Sequence, residues 1–156
     1  MKAKIFTSIV LMLLFTITVF AQKIEYNLKN ISNLKVILDD NQNLLSPTLS
    51  QKIITETKLK LMSAGLKIAK EDEDSPILEI KPNYIQSTLS EHRILLQLRM
   101  IEKVVTNRKD KIETDAITYL DMEFYTSKDV ANSVYSKLMD TMLINYLEKY
   151  LSQKGN

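Results

Sequence analysis

Three sets of side chains in this chain have types and spacing suited to chemistry: the single histidine His92, the carboxylate pairs Glu113 with Asp115 and Asp121 with Glu123, and the acidic run Glu71, Asp72, Glu73, Asp74. A Ser-His-Asp triad would need His92 as its base. It sits in Ser90-Glu91-His92-Arg93, at the start of a β run, with no glycine and no nucleophile elbow nearby, and reads as a surface or turn histidine. One histidine and no cysteine fall short of the Cys and His set that a structural zinc site uses, so none is expected. Residues two apart share one side of a strand, so either carboxylate pair could serve a glycosidase. Acids alternating along a wet strand face are the plainer reading, since no aromatic platform accompanies them. The run Glu71 to Asp74 has the oxygens calcium takes. It lacks the glycine and the spaced twelfth-position glutamate of an EF-hand loop and reads as a solvated connection. With only Gly65 and Gly155, neither a phosphate-cradling loop nor a dinucleotide fingerprint can be built, so no cofactor is expected.

The amino terminus carries a stronger signal. Lys2 and Lys4 precede an apolar run from Ile5 to Phe20 that ends at Val19, Phe20, Ala21, the pattern of a secretory leader cut after Ala21. A retained membrane anchor is the competing reading, but the run lies at the short end for a span. No cysteine follows it, so no thiol can carry a lipid and the lipoprotein route is closed. Removing residues 1–21, which hold two bases and no acid, leaves nineteen basic against nineteen acidic side chains. A neutral chain without a basic stripe is not expected to bind nucleic acid. A Lys-, Ile- and Asn-rich, disulfide-free exported chain suggests a bacterial envelope protein, and its length suits one domain with a sufficient core. Asn30-Ile31-Ser32 matches a glycosylation acceptor, a triplet that arises often by chance.

The remaining chain divides into a loose arm at 22–33, a domain at 34–152 and a tail at 153–156. Leu34 to Leu38 reads as a strand bounded by Asp39, Asp40, Asn41. Ser46 can cap and Pro47 can open a helix whose stripe is Leu49, Ile53, Thr57, Leu61, Ala64, with Gly65 as its stop. Leu66 to Lys70 then takes the period of a strand. Ile77 to Lys81 follows as another, with Pro82 predicting an edge position or a bulge around Asn83 and Tyr84. In residues 93–105, Ile94, Leu96, Leu98 and Met100 point one way. In residues 111–124, unbroken alternation places Ile112, Ala116, Leu120, Met122 and Phe124 on the dry face and the four acids on the wet one, with Arg99 and Lys103 across from Glu113 and Asp115. A long helix from about Lys128 to Leu151, with Ser127 as candidate cap, closes the chain. Its wide apolar stripe either lies across the sheet or turns its tyrosine end, Tyr135, Tyr146 and Tyr150, toward a partner. The expected fold is α+β, a mixed or antiparallel sheet of four to five strands in the order β-α-β-β-β-β-α, with two helices packed on one face.

This order can be compared with known families. Met62, Ser63, Ala64, Gly65, Leu66 and Pro76, Ile77, Leu78, Glu79, Ile80 resemble a group of small bacterial secreted domains of unknown function. In that group a helix ends in an R-x-A-G-hydrophobic turn, an extended P-x-L-x-V strand follows, and a long amphipathic helix closes the chain. The element order is also similar to that of the amino-terminal domain of the Tol system's propeller protein. The resemblance supplies no catalytic residue. Together these readings predict a periplasmic or secreted, noncatalytic binding or assembly module of the bacterial envelope, meeting another envelope protein or itself. A carrier of a small apolar ligand and, less favoured, a carboxylate-dependent hydrolase are the alternatives.

Overall fold

The computed structural model describes residues 28–87 and 91–154. The leader expected at 1–21 and the first part of the expected arm, 22–27, lie outside them. Helix α1 (Pro47–Ser63) begins where the local chemistry says it should: Ser46 is extended and its Oγ accepts from the Leu49 N–H at 3.3 Å, satisfying one orphan donor of the first turn. It ends at Gly65, whose φ of +85° is open to glycine at little strain and lets the Leu66 N–H return to the Leu61 carbonyl.

Five strands form one sheet in the order β2-β1-β3-β4-β5, where β1 is Asn33–Leu38, β2 Lys67–Ile68, β3 Ile77–Ser87, β4 His92–Val105 and β5 Glu113–Ser127. β1 runs parallel to β2 and β3, and β3, β4 and β5 are antiparallel, so the sheet is mixed. Pro82 sits within β3, and the register shift predicted near it falls between Tyr84 and Gln86. The Ile80 carbonyl accepts from Asp39 on the β1 side, and two residues on, Pro82 turns its missing donor to that same side, where β1 has ended.

The chain closes with α2 (Val130–Lys137), a π-helical stretch at Leu138–Met142, and α3 (Leu143–Lys154). Asp129, rather than Ser127, is the cap: its carboxylate accepts from the Asn132 N–H at 3.1 Å, and the Ser127 hydroxyl holds the Asp129 backbone. Both helical layers cover the same face of the sheet. Ile53 and Leu61 of α1, Val134, Leu138, Met142 and Tyr146 of the closing helix, and Leu78, Ile80, Ile94, Leu96, Leu98 and Met100 of the sheet are all buried together. In the π stretch the Leu143 N–H reaches back five residues to the Leu138 carbonyl, and the Met139 carbonyl accepts from Lys60 Nζ of α1 at 3.2 Å. Replacing Lys60 by methionine is therefore expected to cost about 1–2 kcal/mol in urea unfolding, the worth of a charged hydrogen bond to a partly buried carbonyl. Thr57 behaves oppositely. It is fully buried and its hydroxyl lacks a partner, so the isosteric Thr57→Val should stabilise by about 1 kcal/mol in the same measurement.

Three expectations need correction. The arm is not loose over residues 28–33: Leu28 and Ile31 belong to the core, because their side chains fill the helix-covered side of the sheet. The tail is not free where it begins, since Gln153 lies in α3 and its Oε1 accepts from the Leu28 N–H at 2.6 Å. The third correction concerns β5. Tyr119 pairs with Met100 and Ile117 with Ile101, leaving Thr118 as an extra residue in a bulge. Alternation inverts there, so Tyr119, Asp121, Glu123 and Tyr125 turn toward the helices while Leu120, Met122 and Phe124 turn to the face without helices.

Candidate docking surface

The inversion at Thr118 builds the most distinctive surface of the molecule. With α1 and the closing helix on one face, the opposite face has no covering layer among the described residues. Its side chains are those out of phase with the core: Lys35 and Ile37 on β1, Ile77, Glu79, Lys81 and Asn83 on β3, and the odd-numbered residues of β4 from Arg93 to Val105. On β5 they are Glu113, Asp115, Ile117, Leu120, Met122 and Phe124.

Apolar groups on this face are concentrated on the outer two strands. Leu95 faces Phe124, Gln97 faces Met122, Arg99 faces Leu120 and Ile101 faces Ile117 across the β4–β5 ladder. Gln97 Nε2 donates to Met122 Sδ at 3.6 Å, and the Arg99 guanidinium is turned away to pair with Glu79 on β3. Ile117, Met122 and Phe124 are 52%, 48% and 66% exposed. Three large apolar side chains this exposed on one strand exceed the scattered apolar exposure of ordinary surfaces. Charges border the row. Lys81 is paired with Asp39, and Lys103 lies 3.2 Å from Asp74, a bond that raises its pKa above the ordinary lysine value, with the charges of Asp74, Glu113 and Asp115 adding to it.

The residues predicted as a partner surface are placed elsewhere. Tyr146 is fully buried, its ring edge-on to Tyr119 at 5.1 Å and its hydroxyl 3.8 Å from Met100 Sδ, and burial pushes its pKa up. Tyr150 is also buried. Tyr135 is half-buried between helices, its hydroxyl donating to Glu56 Oε2 at 2.6 Å, a bond that raises its pKa, while Lys52 sits over its ring. The tyrosine stripe thus joins the helical layer to the sheet and to α1.

The chemical candidates are not assembled. Glu113 and Asp115 are exposed on the open face, whereas Asp121 and Glu123 turn to the helices, where Asn145 Nδ2 lies 3.5 Å from Asp121 and Lys137 Nζ 3.6 Å from Glu123. The two pairs lie on opposite sides of the sheet. His92 opens β4 with its ring 5.2 Å from that of Tyr84. The acidic run borders an open hollow of about 620 Å³, pinned by Lys103 on Asp74 and by Lys35 on the Glu71 carbonyl. A second open hollow, about 420 Å³, is lined by residues 30–33 with Pro76, Glu102 and Thr118. Among the described residues no three His, Cys, Asp or Glu side chains are grouped to hold a metal, and no helix is long and apolar enough to cross a membrane.

No family model and no curated protein matches the chain. Solved structures do resemble it at low identity. A dodecamer of a PelC point variant from Paraburkholderia phytofirmans is 11% identical with a TM-score of 0.41, over 77% of this chain and 86% of that one. The rare lipoprotein B from Shewanella oneidensis is 12% identical with a TM-score of 0.32, over 79% of this chain and 93% of that one. A minor lipoprotein from Acinetobacter baumannii is 14% identical with a TM-score of 0.30, over 79% and 80%. None of these three is a Tol-system protein, and all are bacterial proteins at identities that leave the family of this chain open.

Proposed function

We propose that this chain is a noncatalytic binding and assembly module of the bacterial cell envelope, exported by a leader cut after Ala21, that docks through the helix-free face of β4 and β5. The observation that carries this reading is the apolar row of exposed Ile117, half-buried Leu120, and exposed Met122 and Phe124, the last three set there by the bulge at Thr118. A sheet with one covered face satisfies the two-layer rule once; an apolar row on its other face calls for a second layer. The reading also accounts for the chemistry. The carboxylates border the row or brace the helices instead of meeting across a cleft. A carrier would hold its ligand between sheet and helices, and that side is filled by Leu98, Tyr119, Met142 and Tyr146.

The test is a photo-crosslinking amino acid placed at Phe124 in the host, compared with the same group at Leu59, which is 56% exposed on the helical layer. The proposal expects a discrete adduct from position 124 and none from position 59. Equal labelling from both, or none from either, contradicts it.

A further inference from the structure

Met100 and Tyr119 are the last buried pair of the β4–β5 ladder. Beyond them the helix-covered side opens into the hollow of about 420 Å³, which Pro76, Glu102 and Thr118 reach from the end of the sheet and residues 30–33 from the segment that Leu28 and Ile31 fix in the core. Two polar groups there are unaccounted for. Glu102 is in phase with Ile94, Leu96, Leu98 and Met100, so it stands half-buried on the core side of the sheet, and among the described residues its carboxylate has no ion pair and no hydrogen bond. Thr118 is half-buried, and its Oγ1 is shut off from solvent without a hydrogen-bond partner. Buried polar groups are nearly always bonded, so two orphans beside one hollow call for an occupant. The bulge is what brings Thr118 there: in an unbroken ladder, Tyr119 on the helix side would send its neighbour to the opposite face.

We infer that this hollow is a binding site for a neutral pyranose, one sugar unit held through its hydroxyls. The inference is independent of the docking reading, which concerns the other face of the sheet. The lining sets the class of ligand. Its one charged group is Glu102, so an anion would find a carboxylate to repel it and no base to pair with. A diamine would bring two charges to that single carboxylate. The other polar groups are uncharged, the amides of Asn30 and Asn33 and the hydroxyls of Ser32 and Thr118. Asn33 Nδ2 is already given to Ser75 Oγ at 3.1 Å, which leaves Oδ1 as its acceptor. Acceptors outnumber donors, and the ligand must bring the protons. Neighbouring sugar hydroxyls do this, since one carboxylate accepts from two of them and gains the strength of a charged hydrogen bond. Ile31 and Pro76 offer apolar contact to the C–H side of the ring.

Size and openness set the strength. A volume of about 420 Å³ falls within the roughly 300–1,000 Å³ of small-molecule sites. The hollow is open, so the ligand keeps much of its surface in water and binds weakly, with a Kd of about 1 mM. On binding, Thr118 turns about χ1 to another staggered position and carries its hydroxyl from its closed place to the ligand.

The experiment is an NMR titration of the purified protein, read from backbone amides and the Thr118 methyl group. The probes are methyl glucoside, methyl galactoside and methyl mannoside, each to about 50 mM, with glucuronate and putrescine as charged comparisons. At least one glycoside should give saturable shifts confined to residues 30–33, 102 and 116–119, and both charged probes should bind more weakly. Glu102→Gln and Thr118→Val should each weaken the glycoside roughly fivefold or more. If Thr118→Val disturbs the fold, Glu102→Gln, which keeps the shape of the side chain, decides. The absence of saturable shifts with every glycoside overturns the inference and leaves the hollow to water. Tighter binding of glucuronate or putrescine there overturns it as well, as does glycoside binding that Glu102→Gln leaves unchanged.

Discussion

Tyr146→Ala is expected to destabilise the domain by about 3–5 kcal/mol, the range for truncating a large buried aromatic. Its ring is fully buried against Tyr119, and its position on α3 places it where the closing helix crosses β4 and β5. Removing it leaves a cavity at the centre of the helix–sheet interface and forfeits the edge-on contact with Tyr119. A domain of this size has only about 5–15 kcal/mol in hand, so a large part of the transition midpoint in urea should go with one side chain. Were the tyrosine end of the helix a partner surface, the same substitution would leave the midpoint where it is.

The pair Phe124→Ser and Met122→Gln should do the reverse. Both side chains are about half exposed or more on the helix-free face, so stability should stay within about 0.5 kcal/mol of wild type. Association through the face should fall by about 2 kcal/mol or more, roughly thirtyfold, since large apolar anchors near the centre of an interface carry most of its energy. The two experiments separate the two apolar stripes of the molecule, one that holds the fold and one that the fold leaves uncovered.

Those stripes differ in how plainly the sequence displays them. α1 is legible because its signals are local: Ser46, Pro47 and Gly65 act within one turn of where they stand. The alternation Ile94, Leu96, Leu98, Met100 is legible because β4 keeps its phase over those residues, with neighbours on both sides. β5 is not, because one extra residue at Thr118 reverses every side chain beyond it, and a threonine in a β run gives no sign of being extra. A partial signal existed: Tyr119 and Tyr125 stand out of phase with Leu120, Met122 and Phe124, so neither face of β5 was wholly apolar. Leu28 and Ile31 were hidden by their polar neighbours, and their burial depends on long-range closure against Gln153 and the sheet. The π turn at Leu138–Met142 keeps apolar Leu138, Met139 and Met142 on the buried side on either side of polar Asp140 and Thr141, so the helical pattern does not display it.

Hydroxyl-radical footprinting of the protein in intact envelopes and in dilute purified form compares Met122 on the open face with Met62 on α1, which are 48% and 47% exposed in the isolated chain. If the helix-free face is the docking surface, Met122 is oxidised as readily as Met62 in dilute solution and is protected severalfold in the envelope, while Met62 is unchanged. Equal oxidation of Met122 in both settings would show that the face stays bare where the protein works and would contradict the assignment.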